Sequence, residues 1–138
     1  MKILIDTNVV LDILLKREPF YTKAAEVLKL VAKENIQEFV SASAITDIYY
    51  IAHKNMRDKT MVRVLLKKLL MIVSVAGVSE DEINKALELA WGDFEDSVQY
   101  SVALLNDMDG IITRNIKDYA EAEIPIWNPE EFLSYLKE

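Results

Sequence analysis

Lys2-Ile3-Leu4-Ile5 is an apolar run of strand length that passes straight into a carboxylate and two small polar residues, Asp6-Thr7-Asn8. In an open parallel sheet the carboxyl ends of the strands line a crevice flanked by helix N-termini, and ligands collect there because backbone donors point into it. Asp6 is therefore expected at a ligand-binding edge. The next residues constrain the fold: Val9, Val10, Ile13 and Leu14 have helical spacing, so a strand feeds almost directly into a helix.

The alternation continues along the chain. Glu18-Pro19 ends the first helix, because proline disfavours helical geometry at the residue before it. A second helix begins near Thr22, with Ala25, Leu28 and Val31 or Ala32 inward. Phe39-Val40-Ser41 reads as a strand and Ser43 as the N-cap of a helix through Ala52. A basic helix runs from about Asp58 to Leu70, with Val62, Leu65, Leu66, Leu69 and Leu70 on its apolar side. Ile72 to Val75, rich in β-branched residues and bounded by Ala76-Gly77, is a third strand. Ser79, with Glu82 three residues on, has the capping-box pattern, and its helix is expected to end at Trp91-Gly92 with the glycine in the left-handed conformation. Asp93 opens a helix through Asn106, Gly110 to Thr113 forms a fourth strand, and Ile124 to Trp127 a short fifth one. Asn128-Pro129 begins a last helix with proline at its first position. Strands alternating with helices specify a three-layer α/β/α sandwich around a parallel sheet.

At 138 residues and 51% apolar content the chain is expected to form one domain, residues 1–138, with a core that needs no disulfide or structural metal. The absence of cysteine excludes disulfide scaffolds, thiolate zinc sites and cysteine nucleophiles. The first residues lack the pattern of a secretory signal, and the longest apolar stretch, Leu69 to Val78, is interrupted by Ser74 and Gly77, so a cytoplasmic location is expected. The net charge of −7 opposes nucleic-acid binding when taken as a sum, but its distribution is uneven. Lys54, Arg57, Lys59, Arg63, Lys67 and Lys68 stand against Asp58 alone, a local charge of +5. Glu80, Asp81, Glu82, Glu88, Asp93, Glu95 and Asp96 stand against Lys85, a local charge of −6. Either run can be solvated helix surface, or the basic one can receive a phosphate backbone if it borders a cleft.

Several acidic positions share a topological fate. Asp6 follows the first strand, Asp47 lies one turn into the helix after the second, and Asp96 lies in the first turn of the helix opened by Asp93. Asn115 and Asp118 follow the fourth strand beyond Thr113. Acidic groups gathered at one sheet edge repel one another unless a cation sits between them. Carboxylates without histidine or cysteine favour Mg²⁺ or Mn²⁺, hard ions that keep several waters. Such an ion activates water and neutralises charge developing on phosphorus, the chemistry of phosphodiester hydrolysis. Simpler roles compete at each position: Asp6 or Asn8 as a helix cap, Asp47 as a dipole-favoured aspartate, Asp93 as N-cap with Asp96 completing a capping box, and Asn115 and Asp118 as turn formers. His53, the lone histidine, is read as a helix C-terminal residue, and Tyr49, Tyr50 and Trp91 as packing residues.

Three segments in order resemble the PIN domain family, metal-dependent ribonucleases that include the VapC-like toxins of toxin–antitoxin pairs. These are Ile3 to Asp12, Asp93 to Ala103 and Asp109 to Tyr119. The resemblance implies a five-stranded parallel sheet in order 3-2-1-4-5 with a metal site at its carboxyl edge. Asp6 matches the first family acid and Asp96 the third. The second is usually glutamate, and Asp47 is its counterpart. The fourth is commonly aspartate where this chain has Asn115, with Asp118 as a substitute ligand. Asp6, Asp47, Asp96 and Asn115 are thereby implied in catalysis, and Asp6, Asp47, Asp96 and Asp118 in holding Mg²⁺ or Mn²⁺. Thr7, Asn8, Thr113 and Arg114 are expected to orient ligands or contact the RNA substrate. The family also implies a homodimer and an inhibitory antitoxin. The departures at Asp47 and Asn115 keep open a module that binds RNA or protein without cleaving. A phospho-receiver domain is disfavoured, because Val75-Ala76-Gly77 and Trp127-Asn128-Pro129 stand where its further aspartate and lysine belong.

Overall fold

β1 (Lys2–Ile5) is buried on both faces, and the alternation of its side chains divides the core in two. Ile3 and Ile5 enter one apolar cluster, whereas Leu4 enters the other. The computed structural model describes residues 1–33 and 35–138. After β1 come α1 (Thr7–Leu14), α2 (Tyr21–Lys33), β2 (Gln37–Ser41), α3 (Ala42–Met56), α4 (Lys59–Leu69), β3 (Ser74–Ala76) and α5 (Glu80–Leu89). α6 (Phe94–Leu105), β4 (Gly110–Ile112), a short 3-10 helix (Ile116–Tyr119), β5 (Ile126–Trp127) and α7 (Pro129–Lys137) complete the order. The sheet is parallel throughout, in order β3-β2-β1-β4-β5, as the family resemblance implied.

Ile3, Ile5, Val40 and Ile112 pack with residues of α1 to α4 and α7, while Leu4, Ile111 and Ala76 pack with α5 and α6. Trp91 belongs to this second layer, stacked on Tyr100 with ring centroids 4.9 Å apart. No helix among the described residues is long and apolar enough to cross a membrane.

Several boundaries differ from the sequence reading, each for a local reason. The N-cap of α3 is Ser41, whose extended backbone ends β2 and whose Oγ accepts from Ala44 N at 3.2 Å; Ser43 lies inside the helix. α3 runs past Ala52 to Met56, and Arg57 closes it at φ 54° by donating its N–H to the carbonyl of His53. β3 begins at Ser74 because the amides of Ile72 and Val73 both return to the Leu69 carbonyl, leaving only the later residues for the ladder with β2. α5 ends at Leu89, and the left-handed residue is Ala90 (φ 54°); Gly92 keeps negative φ. β5 contributes only Ile126 and Trp127. Gly110 is required by close packing: a Cβ there would lie 2.8 Å from the Pro125 carbonyl oxygen and against the Trp127 ring.

Candidate functional site

Asp6 is the N-cap of α1, 7% exposed, at the carboxyl end of the central strand. Four donors orient its carboxylate. Thr7 N (2.8 Å) and Gln99 Nε2 (3.0 Å) donate to Oδ1, while Thr113 Oγ1 (2.8 Å) and the Tyr119 hydroxyl (3.1 Å) donate to Oδ2. Burial and the charges of Asp6 and Asp96 raise the Tyr119 pKa, so its proton stays available for donation. Gln99 in turn accepts from Ser41 Oγ at 2.5 Å, which ties the cap of α3 to α6 and to Asp6.

In front of Asp6 opens a cleft of about 490 Å³. Thr7, Asn8, Asp47 and Arg114 line it with Asp6, together with Glu95, Gln99 and Arg17, over an apolar floor that includes Leu11 and Val98. Asp96, in the first turn of α6, is half-buried. Its carboxyl is raised to about 7, first by burial and then by the charges of Asp93, Asp6, Asp118 and Glu95. Glu95 is also raised to about 7, first through its hydrogen-bonding contact with Asp47, then by burial, then by the charges of Asp47, Asp93 and Asp6. Both carboxyls lie in the first turn of α6, where the helix dipole favours anions. Burial leads the shift of Asp96 and the Asp47 contact that of Glu95, and in both the uncompensated charge of neighbouring carboxylates adds to it.

The donor set is made of oxygens, and its excess charge suits a hard divalent cation. Among the described residues no three acidic or histidine side chains are grouped closely enough to ring one ion. The fit is thus to an ion that binds few side chains directly and retains water, as Mg²⁺ and Mn²⁺ do.

The remaining expected positions lie around this centre. Thr113 is fully buried beneath Asp6, so its hydroxyl supports the carboxylate and is out of reach of a substrate, contrary to the expectation of RNA contact. Asn8 Oδ1 accepts from the Arg114 amide at 3.0 Å, clipping the loop after β4 to α1. Asn115 is exposed and donates its backbone N–H to Thr113 Oγ1; its side chain makes no cap bond and lines no part of the cleft. Asp118, exposed on the 3-10 helix, borders a shallower hollow with Trp91 and Gly92, and its charge reaches Asp96. The basic α4 lines no part of the cleft, so the path for RNA along it lacks the adjacency it required.

Sequence reasoning did not single out Glu95, Gln99, Tyr119 or Arg17 as site residues. Gln99 lies three residues after Asp96 and four after Glu95, a spacing that puts all three on neighbouring positions of one helix surface. Arg17 and Tyr119 carry no comparable local signal.

The family model described as "PIN domain" matches residues 2–117. A sequence comparison with curated proteins gives no match. Among solved structures, VapBC-1 from nontypeable Haemophilus influenzae superposes with TM-score 0.73 at 17% identity, covering 94% of this chain and 99% of that one. A toxin-antitoxin complex from Klebsiella pneumoniae gives 0.67 at 22% identity, with 91% and 96% covered. VapC20 from Mycobacterium tuberculosis, a sarcin-ricin loop cleaving toxin, gives 0.64 at 16% identity, with 79% and 86% covered. At these identities the likeness is one of fold.

Proposed function

Because this chain belongs to the PIN domain family, we propose that it is a metal-dependent endoribonuclease hydrolysing RNA phosphodiesters, the toxin of a toxin–antitoxin pair, acting in the cytoplasm. The observation that carries this reading is the excess of carboxyl groups around an immobilised Asp6 at the sheet edge, with Asp96 raised to about 7. Asp6, Asp47 and Asp96, with Asp118 assisting, would hold Mg²⁺ or Mn²⁺ largely through the waters such an ion keeps. When bound, such an ion supplies Lewis acidity towards water and a phosphate oxygen.

The chain's own residues do the positioning. Gln99, Thr113 and Tyr119 keep Asp6 in one rotamer, so no reorganisation is needed when charge develops beside it. Glu95 shares the cleft with Asp47, and its carboxylate would accept a proton there. Thr7 and Asn8 line the cleft at the start of α1, and Thr7 would meet a substrate phosphate there while Asn8 holds the Arg114 loop.

The likeness to VapBC-1 and to the Klebsiella pneumoniae complex supports an antitoxin as protein partner, and a homodimer belongs to the same proposal. Incubation of pure protein with labelled single-stranded RNA tests the activity. Cleavage is expected in Mn²⁺ or Mg²⁺, and loss of cleavage is expected in EDTA and in Asp6→Asn or Asp96→Asn. Cleavage that survives both substitutions removes the site from the account. A second reading, RNA or protein binding without cleavage, draws on the neutral and outlying Asn115. RNA retained without products in either metal would favour it.

A further inference from the structure

Asp12 is 1% exposed yet serves two guanidinium groups at once. Arg17 Nε donates to Asp12 Oδ1 at 2.9 Å. Arg114 donates from Nη2 to the same oxygen at 3.3 Å and sets its Nε 3.1 Å from Oδ2. One carboxylate neutralises one guanidinium, so the trio carries a net +1 on a cleft whose other polar walls include Asp6, Asp47 and Glu95. Burying a carboxylate to hold two like charges together is costly as a structural device alone. It becomes favourable when a further anion lies between the two cations.

The two arginines are also held ready. Arg17 Nη2 donates to the Asn8 carbonyl at 3.4 Å, and the Arg114 guanidinium lies 4.0 Å from the centre of the Phe20 ring. Stacking and the fixed fork reduce the entropy lost on binding a tetrahedral anion. Both side chains remain about one-third exposed and both line the cleft. No acceptor among the described residues takes the Nη1 group of either. Their location is equally specific: Arg114 follows Thr113, which bonds Asp6, and Arg17 grips the carbonyl of Asn8, two residues from Asp6.

We infer that Asp12, Arg17 and Arg114 form a phosphate clamp that takes a backbone phosphate of single-stranded RNA next to the one under attack. This deepens the nuclease reading and rests on it. Arg17 and Arg114 grip non-bridging phosphate oxygens, and Asp12 is the positioning residue that fixes their spacing. The clamp also resolves how a chain of net charge −7 draws a polyanion into an acid-lined cleft.

The test is fluorescence anisotropy of a labelled single-stranded oligoribonucleotide in Ca²⁺ over a series of KCl concentrations, with Mn²⁺-dependent cleavage followed on the same samples. Arg17→Gln is expected to weaken RNA binding about tenfold and to flatten the slope of log K against log salt by about 0.7, one single-strand phosphate contact. Arg17→Lys, which keeps the charge and loses the fork, should retain the slope and recover part of the affinity. Arg114→Gln should act in the same direction, and if it fails to fold the Arg17 pair decides. In the cleavage assay KM should rise by a larger factor than kcat falls. Wild-type affinity and slope in folded Arg17→Gln, with RNA still cleaved, would overturn the clamp and leave the nuclease intact. A wild-type protein that neither binds nor cleaves RNA overturns both.

Discussion

Gln99 Nε2 donates to Asp6 Oδ1 at 3.0 Å, across 93 residues of sequence, while the same amide's oxygen accepts from Ser41. A single uncharged side chain therefore joins α6, the start of α3 and the end of β1 at the point where the acidic groups gather. Gln99→Leu removes both bonds and leaves the buried Ser41 hydroxyl short of a partner. Metal-supported RNA cleavage is expected to fall about 10- to 100-fold, the range for lost support of a metal ligand. Thermal unfolding measured on the same preparation should show a fall of several degrees.

The raised carboxyls of Glu95 and Asp96 give the site a pH dependence with a definite sign. A carboxyl held up to about 7 in the folded protein contributes stability that is complete below its unfolded value, 4.5 for Glu95 and 3.8 for Asp96, and is lost as pH rises through 7. The melting temperature of the metal-free protein should therefore decline across that window. Mn²⁺ displaces the protons and reverses the decline, so the stabilisation it confers should grow between about pH 5.5 and 8. A Mn²⁺ effect that is flat with pH, read by calorimetry, would show that these carboxyls do not face the ion.

Glu38 makes a separate prediction on the other side of the molecule. It stands in β2 opposite Ile3, 2% exposed, and neither carboxylate oxygen has a hydrogen-bond partner among the described residues. Its surroundings include Ile5, Val10, Val27 and Val73, and burial pushes its pKa up to about 8. Stability is thus complete below pH 4.5 and lost as pH approaches 8. Glu38→Leu should be more stable than the parent above about pH 8 by on the order of 4 kcal/mol, with the gain shrinking towards about pH 5. Urea unfolding of both proteins across the range from acid to mildly alkaline pH checks it.

Gly110→Ala should destabilise the sheet by on the order of 2 kcal/mol. The added methyl meets the Pro125 carbonyl and the Trp127 ring, so β4 and β5 must separate. The loss is read as a lower denaturant midpoint with the slope unchanged.

What the sequence determined by itself was the order of elements and the place of Asp6, because hydrophobic period and capping chemistry act over a few residues. The alternation around Lys2–Ile5, the Ser79–Glu82 capping box and the Asn128-Pro129 start are local signals, and the structure contains each of them. Cap positions moved where tertiary hydrogen bonds intervened, as at Ser41, which also serves Gln99, and at Ile72 and Val73, whose amides turn back to Leu69. Only the tertiary structure decided that Thr113 is sealed beneath Asp6, that Tyr119 reaches Asp6 from 113 residues away, and that Arg17 and Arg114 meet on one buried aspartate. Whether a polar residue supports a site or faces its substrate depends on which distant side chain covers it, and no local period or spacing carries that information.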